Sequence, residues 1–408
     1  MTSLAEQIQT TPKPIDRKGA HAHIEHFLSI KEGPEFEQLG ALVKKHPKLY
    51  ELLFAIAGHS PYLWRLINRN PKRFLRLIEN NPDIYFSELI TSCGQAAINN
   101  ANDEAAIKKT LRHIKQEAAL LIALCDLGGV WDVIRVTEAL SDLADASLKA
   151  ALSFLLAVEA SSGKITSFDR DQPKGVVILA LGKHGARELN YSSDIDIIIL
   201  YDPAEAALAE GVEPSPFFVK LVKGIVRLID EATADGYVFR VDLRLRPDPG
   251  STPVAISVNS AFAYYESVGQ NWERAALIKA RPVAGDIAIG EAFLSDLSPF
   301  VWRKYFDFAA IADIHAMKRQ IHAVRGHESI AVAGHDIKLG RGGIREIEFF
   351  VQTQQLVFGG RRGALRGRRT LDMLTTLSRE GWISENARDD LDEAYRFLRR
   401  IEHRLQMV

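Results

Sequence analysis

The sequence predicts a mainly α protein that carries an α+β domain, in which helices flank a small mixed sheet. Apolar residues recur at spacings of three and four over residues 34–160, which indicates helices throughout that stretch. Shorter apolar runs follow at residues 175–181 and 195–201, and their length and composition are typical of buried strands. Helices and strands that occupy separate stretches of a chain favour the α+β class over a repeating α/β fold.

The same patterns divide the chain into three regions. Residues 1–160 are predicted to form an N-terminal helical domain, in which the Asn-Pro pairs at positions 70–71 and 81–82 separate short helices. Residues 161–300 are predicted to form the domain with the mixed sheet. Residues 301–408 read as a helical C-terminal region. That region ends on an apolar helix with no cap, so we expect the chain to be a truncated piece of a longer protein.

Further elements of the mixed-sheet domain follow from local patterns. After the two buried strands, a helix with a clear apolar stripe is predicted to begin at Pro214. Residues 252–258 are expected to add a strand, and residues 260–300 are expected to return to helix. Residues 338–352 read as a glycine-rich turn that leads into another helix.

Residues 237–247, YVFRVDLRLRP, alternate strictly between apolar and polar side chains. This period of two predicts a half-buried strand, whose polar face would carry Arg240, Asp242, Arg244 and Arg246. A row of arginines alone would suit phosphate. A carboxylate among them suits phosphate together with a metal ion.

Composition limits the class of protein. The 408 residues have a net charge of −1, which argues against a general nucleic-acid binder. The two cysteines, Cys93 and Cys125, form no CxxC pattern and indicate a reducing compartment. The N-terminus lacks the apolar core of a signal peptide, and no apolar run is long enough for a membrane span. We therefore expect a cytoplasmic protein that binds neither nucleic acid nor membrane.

The segment LGKHGARELNYSSDIDIIILYD, residues 181–202, contains the main chemical signal. Asp194 and Asp196 are two residues apart at the head of a predicted strand, so both carboxylates should lie on one face. Mg²⁺ prefers one or two carboxylates together with phosphate oxygens. With Asp242 they make a triad that could hold two metal ions for phosphoryl or nucleotidyl transfer.

The residues around the triad allow more than one interpretation. Lys183 could contact phosphate or be a solvated lysine in a turn. Arg244 and Arg246 could form a plain solvated strand face, although their alignment with Asp242 favours phosphate binding. Glu188 and Asn190 are expected to brace the loop rather than to touch substrate. No Walker A sequence, GxGxxG or HExxH is present to support another phosphate or metal site.

Residues 182–196 have the form G-K-x-G-x-x-E-L-N-x-x-S-D-I-D, which resembles the signature of the glutamine synthetase adenylyltransferase family. The segments RVDLRLRPDPGS, KLGRGGIREIEFFVQ and AYRFLRRIEHRLQM extend the resemblance from about residue 139 to the end of the chain. The resemblance implies a nucleotidyltransferase domain with a DNA polymerase β-like fold. The family has two such domains, and ELNYSSDID, GGIREIEFF and FLRRIEHRLQ look like the N-terminal, adenylyl-removing copy.

The resemblance also implies a reaction. Phosphate would attack the AMP phosphorus of an adenylyl-tyrosine on glutamine synthetase, which releases ADP and restores the tyrosine, with Mg²⁺ as cofactor. Adenylylated glutamine synthetase would be the substrate, and the PII signal protein would act as a regulator in the control of nitrogen metabolism. ATP-dependent adenylylation of a protein tyrosine and a non-catalytic docking module are the alternatives.

The resemblance assigns roles to individual residues. Asp194, Asp196 and Asp242 would hold the metal and support catalysis. The nucleotide and phosphate would be bound by Gly182, Lys183, Ser193, Arg244 and Arg246. The sequence assigns no role to Lys338, Glu346 and Glu348.

Overall fold

The computed structural model describes residues 2–13, 16–29, 33–304 and 334–408. These residues are mainly helical and contain a mixed sheet of five strands, so the predicted fold class is confirmed. Part of the predicted C-terminal region, residues 305–333, lies outside the described residues. The division into three domains stays a prediction.

Before the first strand the described chain is helical. The helices are α1 Leu4–Gln7, α2 Arg17–Ser29, α3 Pro34–Lys45, α4 Pro47–His59, α5 Pro61–Arg69, α6 Pro71–Glu79, α7 Pro82–Asn99, α8 Glu104–Leu127 and α9 Val133–Ser161. Asn70 and Asn81 cap α6 and α7 by accepting hydrogen bonds from backbone N–H groups, and proline is the first residue of each helix. The predicted breaks at the two Asn-Pro pairs are therefore confirmed.

The sheet is organised around its second strand. The strands are β1 Val176–Ala180, β2 Ile195–Tyr201, β3 Val241–Asp242, β4 Ala255–Ser257 and β5 Arg281–Gly285. On one side β2 pairs with β1 in an antiparallel manner, and β5 continues the sheet beyond β1. On its other side β2 pairs in parallel with β3 near its start and with β4 near its end.

Two predicted elements of this domain are wrong in extent. The predicted strand at residues 237–247 is reduced to β3, because Arg246 donates hydrogen bonds to carbonyls of the turn that follows and Pro247 and Pro249 lack the N–H of a continuing strand. The expected helix at residues 260–300 is interrupted by β5. Pro282 is tolerated there because, among the described strands, β5 pairs on one side only.

Helices cover both faces of the sheet. Val176 and Ile178 of β1 belong to one apolar core, which α9 and the helix at Pro214–Ile229 share, whereas Val177 and Leu179 belong to another. This alternation is the period of two expected of a strand that is buried on both faces. The remaining helices are α10 Gly182–Gly185, α11 Pro214–Ile229, α12 Val258–Ser267, α13 Asn271–Leu277, α14 Ile287–Asp296, α15 Ser298–Val301, α16 Ile344–Phe358, α17 Thr370–Arg379 and α18 Glu385–Met407, with a 3₁₀ turn at Gly363–Leu365.

The last three helices pack together and reach back to the sheet domain. Ile344, Leu374 and Tyr395, from α16, α17 and α18, share a third core. The end of α18 meets both earlier regions, because Ser60 donates a hydrogen bond to the Met407 carbonyl and Gln406 accepts one from the backbone of Ser192. None of the described helices is long and apolar enough to cross a bilayer.

Candidate active site

The three predicted aspartates come together at the start of β2. The parallel register of β2 and β3 sets Asp196 directly beside Asp242. Asp194 lies one residue before β2, where its side chain is exposed. The structure therefore brings to one sheet edge two carboxylates that are two residues apart in sequence and a third that follows much later in the chain.

The electrostatics of this cluster centre on Asp196. Burial, followed by the nearby carboxylates of Asp242 and Asp194, raises the pKa of Asp196 to about 6. Arg345 and Arg244 act in the opposite direction on the same carboxyl group. A divalent cation would relieve this crowding of negative charge, and carboxylate oxygens are the ligands that Mg²⁺ prefers. The donor set therefore fits such an ion in its chemistry.

Arginines hold the two outer aspartates. Arg240 donates from Nε to Asp194 Oδ1 at 2.5 Å and also to the carbonyl of Ser192. Arg244 donates to Asp242 from its guanidinium, with Nη2 2.5 Å from Oδ2, and from its backbone N–H at 2.8 Å. In the described part of the chain, no group of three His, Cys, Asp or Glu side chains is arranged to hold a metal. A metal would therefore require the outer carboxylates to turn away from their arginines.

Gly182 lies in close contact with the central aspartate. Its φ is +54°, a left-handed conformation that favours glycine. A Cβ atom at this position would lie 2.3 Å from Asp196 Oδ2. The backbone N–H of Leu181 also donates to the Asp196 carbonyl at 2.9 Å. A glycine is thus required for the loop after β1 to lie against the aspartate.

Lys183 faces a different group of charges. Its Nζ lies 3.3 Å from Glu348 Oε1 and 3.8 Å from Glu402 Oε2. The atom is buried and has no hydrogen-bond partner in the described structure. Burial lowers the pKa of Lys183, and the carboxylate of Glu348 opposes that shift. The phosphate contact expected of Lys183 stays a prediction, and this conformation turns its ammonium group toward α16 and α18.

The other two expected phosphate ligands differ in their surroundings. Ser193 lies half-buried in the turn before β2, and its backbone N–H donates to the carbonyl of Asn190 at 3.4 Å. Arg246 donates to the carbonyls of Leu243, Pro249 and Thr252, so its guanidinium braces the loop after β3. A role for either residue in phosphate binding stays a prediction.

Glu188 and Asn190 brace the loop, as the sequence predicts. Glu188 accepts hydrogen bonds from the backbone N–H of Thr370 at 2.6 Å and from Lys279 at 3.1 Å. Arg399 of α18 donates to the Glu188 carbonyl at 2.7 Å and to the side chain of Asn190. The C-terminal helices therefore fix the loop that connects Gly182 to Asp194.

Sequence reasoning missed the arginines and carboxylates that act on the site from elsewhere. The sequence places Arg240 on the predicted strand face but does not relate it to Asp194. Arg345, in the first turn of α16, contributes to the electrostatics of Asp196. Burial alone would raise the pKa of Glu348, but Lys183 and its cationic neighbours hold it below the usual range. The only signal available was the dense charge of the segment GRGGIREIE.

Two family models match the chain. The model of glutamate-ammonia ligase adenylyltransferase matches residues 50–296. The model of GlnD PII-uridylyltransferase matches residues 314–408. The first match includes β1, β2 and β3, which carry or precede the three aspartates. The second includes α16 and α18, which carry the partners of Lys183.

Several curated relatives are similar along the chain. A protein of Xanthobacter autotrophicus is 52% identical over 409 residues, which cover 100% of this chain and 41% of the relative. A protein of Bradyrhizobium sp. is 51% identical over 409 residues, which cover 99% of this chain and 41% of the relative. One from Rhodopseudomonas palustris is 53% identical over 371 residues, 90% of this chain and 37% of the relative. Each is named bifunctional glutamine synthetase adenylyltransferase/adenylyl-removing enzyme. The chain therefore spans about two fifths of the length of the relatives it matches.

Proposed function

The chain belongs to the glutamate-ammonia ligase adenylyltransferase family, and from this premise we propose that it removes AMP from adenylylated glutamine synthetase by phosphorolysis. The observation that carries the proposal is the pairing of β2 with β3, which sets Asp196 beside Asp242 with Asp194 close by. Three carboxylates at one sheet edge, with arginines around them, suit a transfer at phosphorus. The names of the relatives support glutamine synthetase as the substrate.

The proposed step is a displacement at the phosphorus of AMP. An oxygen of inorganic phosphate forms a bond to that phosphorus, and the bond from phosphorus to the tyrosine oxygen breaks. ADP leaves, and the tyrosine departs as a phenolate that takes up a proton. Phosphate is already an anion, so the protein need not supply a nucleophile, and catalysis rests on positioning and on charge neutralisation.

In this reaction the residues of the site would have different roles. Asp194, Asp196 and Asp242 would hold Mg²⁺, which when bound would neutralise charge on the phosphoryl oxygens. Arg244, whose side chain is 83% exposed, could turn from Asp242 to the attacking phosphate. Gly182 would keep the loop after β1 against Asp196. Lys183 and Ser193 are proposed phosphate contacts that require the loop to adjust.

Sequence motifs decide the choice between removal and addition of AMP in this proposal. The segments ELNYSSDID, GGIREIEFF and FLRRIEHRLQ resemble the adenylyl-removing copy of the family's two domains. The relatives carry both activities in their name, and this chain covers 41% of the first of them. We therefore propose the removing activity for this chain, with the PII signal protein as a regulator of the longer protein.

A product assay tests the proposal. The chain is given adenylylated glutamine synthetase, Mg²⁺ and phosphate, and the release of ADP is followed. We expect ADP release that depends on phosphate and is abolished in the double variant Asp194→Asn/Asp196→Asn. Asp296→Asn is the matched control, because this exposed aspartate at the end of α14 lies outside the site. Circular dichroism tests whether each variant is folded.

The other outcomes separate the alternatives. AMP incorporation from ATP into unmodified glutamine synthetase, without ADP release, would assign the adding activity to this chain. Full ADP release by a folded Asp194→Asn/Asp196→Asn variant would remove the aspartates from the catalytic role. Neither activity, together with binding of glutamine synthetase, would favour a docking module.

A further inference from the structure

A polar cleft lies among the N-terminal helices and includes none of the proposed active-site residues. Its volume is about 580 Å³, which is within the usual range for small-molecule sites. Helices α5, α6 and α8 form most of its wall, and the loop before β3 completes it. Its charged lining residues, apart from a histidine, are Arg69, Arg73, Arg76, Lys109, Glu117 and Asp235.

Positive charge is in excess in this cleft. Four of the charged side chains are cationic and two are carboxylates, a difference of two positive charges with His113 counted as neutral. Both carboxylates already have partners: Asp235 lies 2.9 Å from Arg69, and Glu117 lies 3.5 Å from Arg76. Among the described ion pairs, none includes Arg73 or Lys109. In the described structure, therefore, neither cation lies within ion-pair distance of a carboxylate, and Glu117 acts on Arg73 only from further away.

Arg73 gives an independent indication of an anion-binding site. The residue is only 5% exposed although it lines the cleft. One guanidinium nitrogen donates to the carbonyl of Leu66 at 3.1 Å, whereas the buried Nε has no hydrogen-bond partner in the described structure. A buried donor without an acceptor is costly, and native proteins rarely retain one without a reason. Arg73 also lies in the first turn of α6, where the helix dipole favours an anion.

We propose that this cleft binds a small dianion, either a dicarboxylate or a tetrahedral oxyanion. A ligand with two negative charges matches the two unpaired cations and would supply acceptors to Arg73. Arginine and lysine around a rigid helix start are the groups that bind carboxylate and oxyanion ligands in proteins. The site does not depend on whether this chain removes or adds AMP.

The cleft is also connected to the candidate active site through the chain. Ala234 and Asp235 of its wall belong to the loop that leads into Arg240 and β3. Gln116, another lining residue, donates to the Asp235 carbonyl at 2.9 Å, and Arg112 donates to the Gly236 carbonyl at 2.7 Å. A dianion in the cleft would therefore contact the segment that leads to the arginine partner of Asp194.

Titration calorimetry of the 408-residue chain tests the proposal. Succinate and sulfate serve as separate probes, one for each kind of dianion. We expect saturable binding of at least one probe, weakened about tenfold by Lys109→Gln because a charge-assisted contact is lost. Lys109 is exposed, so its replacement should not disturb folding as a change at buried Arg73 could. The matched control is Lys223→Gln, an exposed lysine on α11 outside the cleft, which should bind as the unchanged chain does.

Each result has a definite meaning. Binding of succinate alone identifies a dicarboxylate site, and binding of sulfate alone identifies a site for tetrahedral oxyanions. The Asp194→Asn/Asp196→Asn variant should bind the probe unchanged, which separates this site from the candidate active site. No saturable binding of either probe up to about 10 mM, a very weak affinity, would overturn the proposal. Equal binding by the Lys109→Gln and Lys223→Gln variants would also overturn it.

Discussion

Lys183 Nζ lies 3.3 Å from Glu348 Oε1, and this ion pair joins the loop after β1 to helix α16. Both side chains are largely buried, with 12% and 3% of their surfaces exposed. Gly182, the preceding residue, lies against the carboxylate of Asp196. The pair therefore connects the C-terminal helices to the position of the central aspartate.

We expect Glu348→Gln to lower the free energy of unfolding by about 3 kcal/mol, because it leaves the buried ammonium with only the more distant carboxylate of Glu402, 3.8 Å away. Lys183→Met should have a similar cost. The double variant should cost less than the sum of the two, by roughly 1 to 3 kcal/mol, since the residues are in contact. Urea denaturation of the four proteins measures this coupling.

Glu393→Gln is the matched control for these measurements. Glu393 lies on α18 but is exposed, and its replacement should change stability by no more than about 0.5 kcal/mol. If Lys183→Met left stability unchanged and instead raised the KM for phosphate, Lys183 would be a phosphate ligand and the ion pair would have no structural importance.

Gly182→Ala should reduce turnover out of proportion to its effect on stability. The new Cβ would lie 2.3 Å from Asp196 Oδ2, so the carboxylate must move. The positive φ adds strain of about 1 kcal/mol. Gly211 provides the control: its φ is +82°, and nothing lies within 4 Å of the Cβ position. Both variants should lose similar stability in urea, and only Gly182→Ala should lose kcat. Equal kcat in both would show that contact with Asp196 has no role in turnover.

Most of the sheet domain could be predicted because its elements carry local patterns. The apolar runs that became β1 and β2 are long enough to be buried strands, and Pro214 begins α11 as expected. The short length of β3 could not be predicted from alternation, since hydrogen bonds from Arg246 to the following turn end it. β5 was missed because an Arg-Pro start has no strand signature, and only pairing with β1 makes it a strand.

The grouping of the three aspartates could be predicted from the sequence, but the ion pairs around them could not. The spacing of Asp194 and Asp196, together with the predicted strand that holds Asp242, was enough to group the three residues. No local pattern relates Lys183 to Glu348, which lies far along the chain on another helix. Such pairs depend on how helices pack against the sheet, and local sequence patterns do not reveal that packing.

Arg244→Gln should separate phosphate binding from metal binding. In the structure Arg244 pairs with Asp242 and holds the pKa of that carboxyl below its usual value, mainly through a side-chain hydrogen bond. Without the arginine we expect half-saturation at a several-fold lower Mg²⁺ concentration, because no cation competes for Asp242. The KM for phosphate should rise about tenfold with the loss of one charge-assisted contact. Steady-state assays that vary each ligand in turn measure both constants.

Arg246→Gln is the contrasting variant. Its guanidinium donates to the carbonyls of Leu243, Pro249 and Thr252, so the change should lower the free energy of unfolding by about 2 kcal/mol. Arg244→Gln should change stability by less than about 1 kcal/mol, because that side chain is 83% exposed. A selective rise in the KM for phosphate in Arg246→Gln, with stability unchanged, would restore the phosphate role expected from the sequence.

His403 on α18 should make stability depend on pH. Burial lowers the pKa of His403, and Asp126, whose Oδ2 lies 2.9 Å from Nδ1, opposes that shift only in part. Arg399, Glu402 and Arg404 of the same helix and Tyr191 of the loop before β2 also face this pair.

Because the pKa is lower in the folded chain than in the unfolded chain, the unfolded chain binds more protons as the pH falls below about 6.5. The imidazole therefore costs no stability above that pH and destabilises the fold progressively below it. The slope of the unfolding free energy between pH 7 and pH 5 should become less steep in His403→Gln, by up to about 1.4 kcal/mol per pH unit. Urea denaturation at several pH values measures this slope, and Glu393→Gln, a change at an exposed residue of the same helix, is the control. An unchanged slope in His403→Gln would mean that His403 is protonated equally in the folded and unfolded chains.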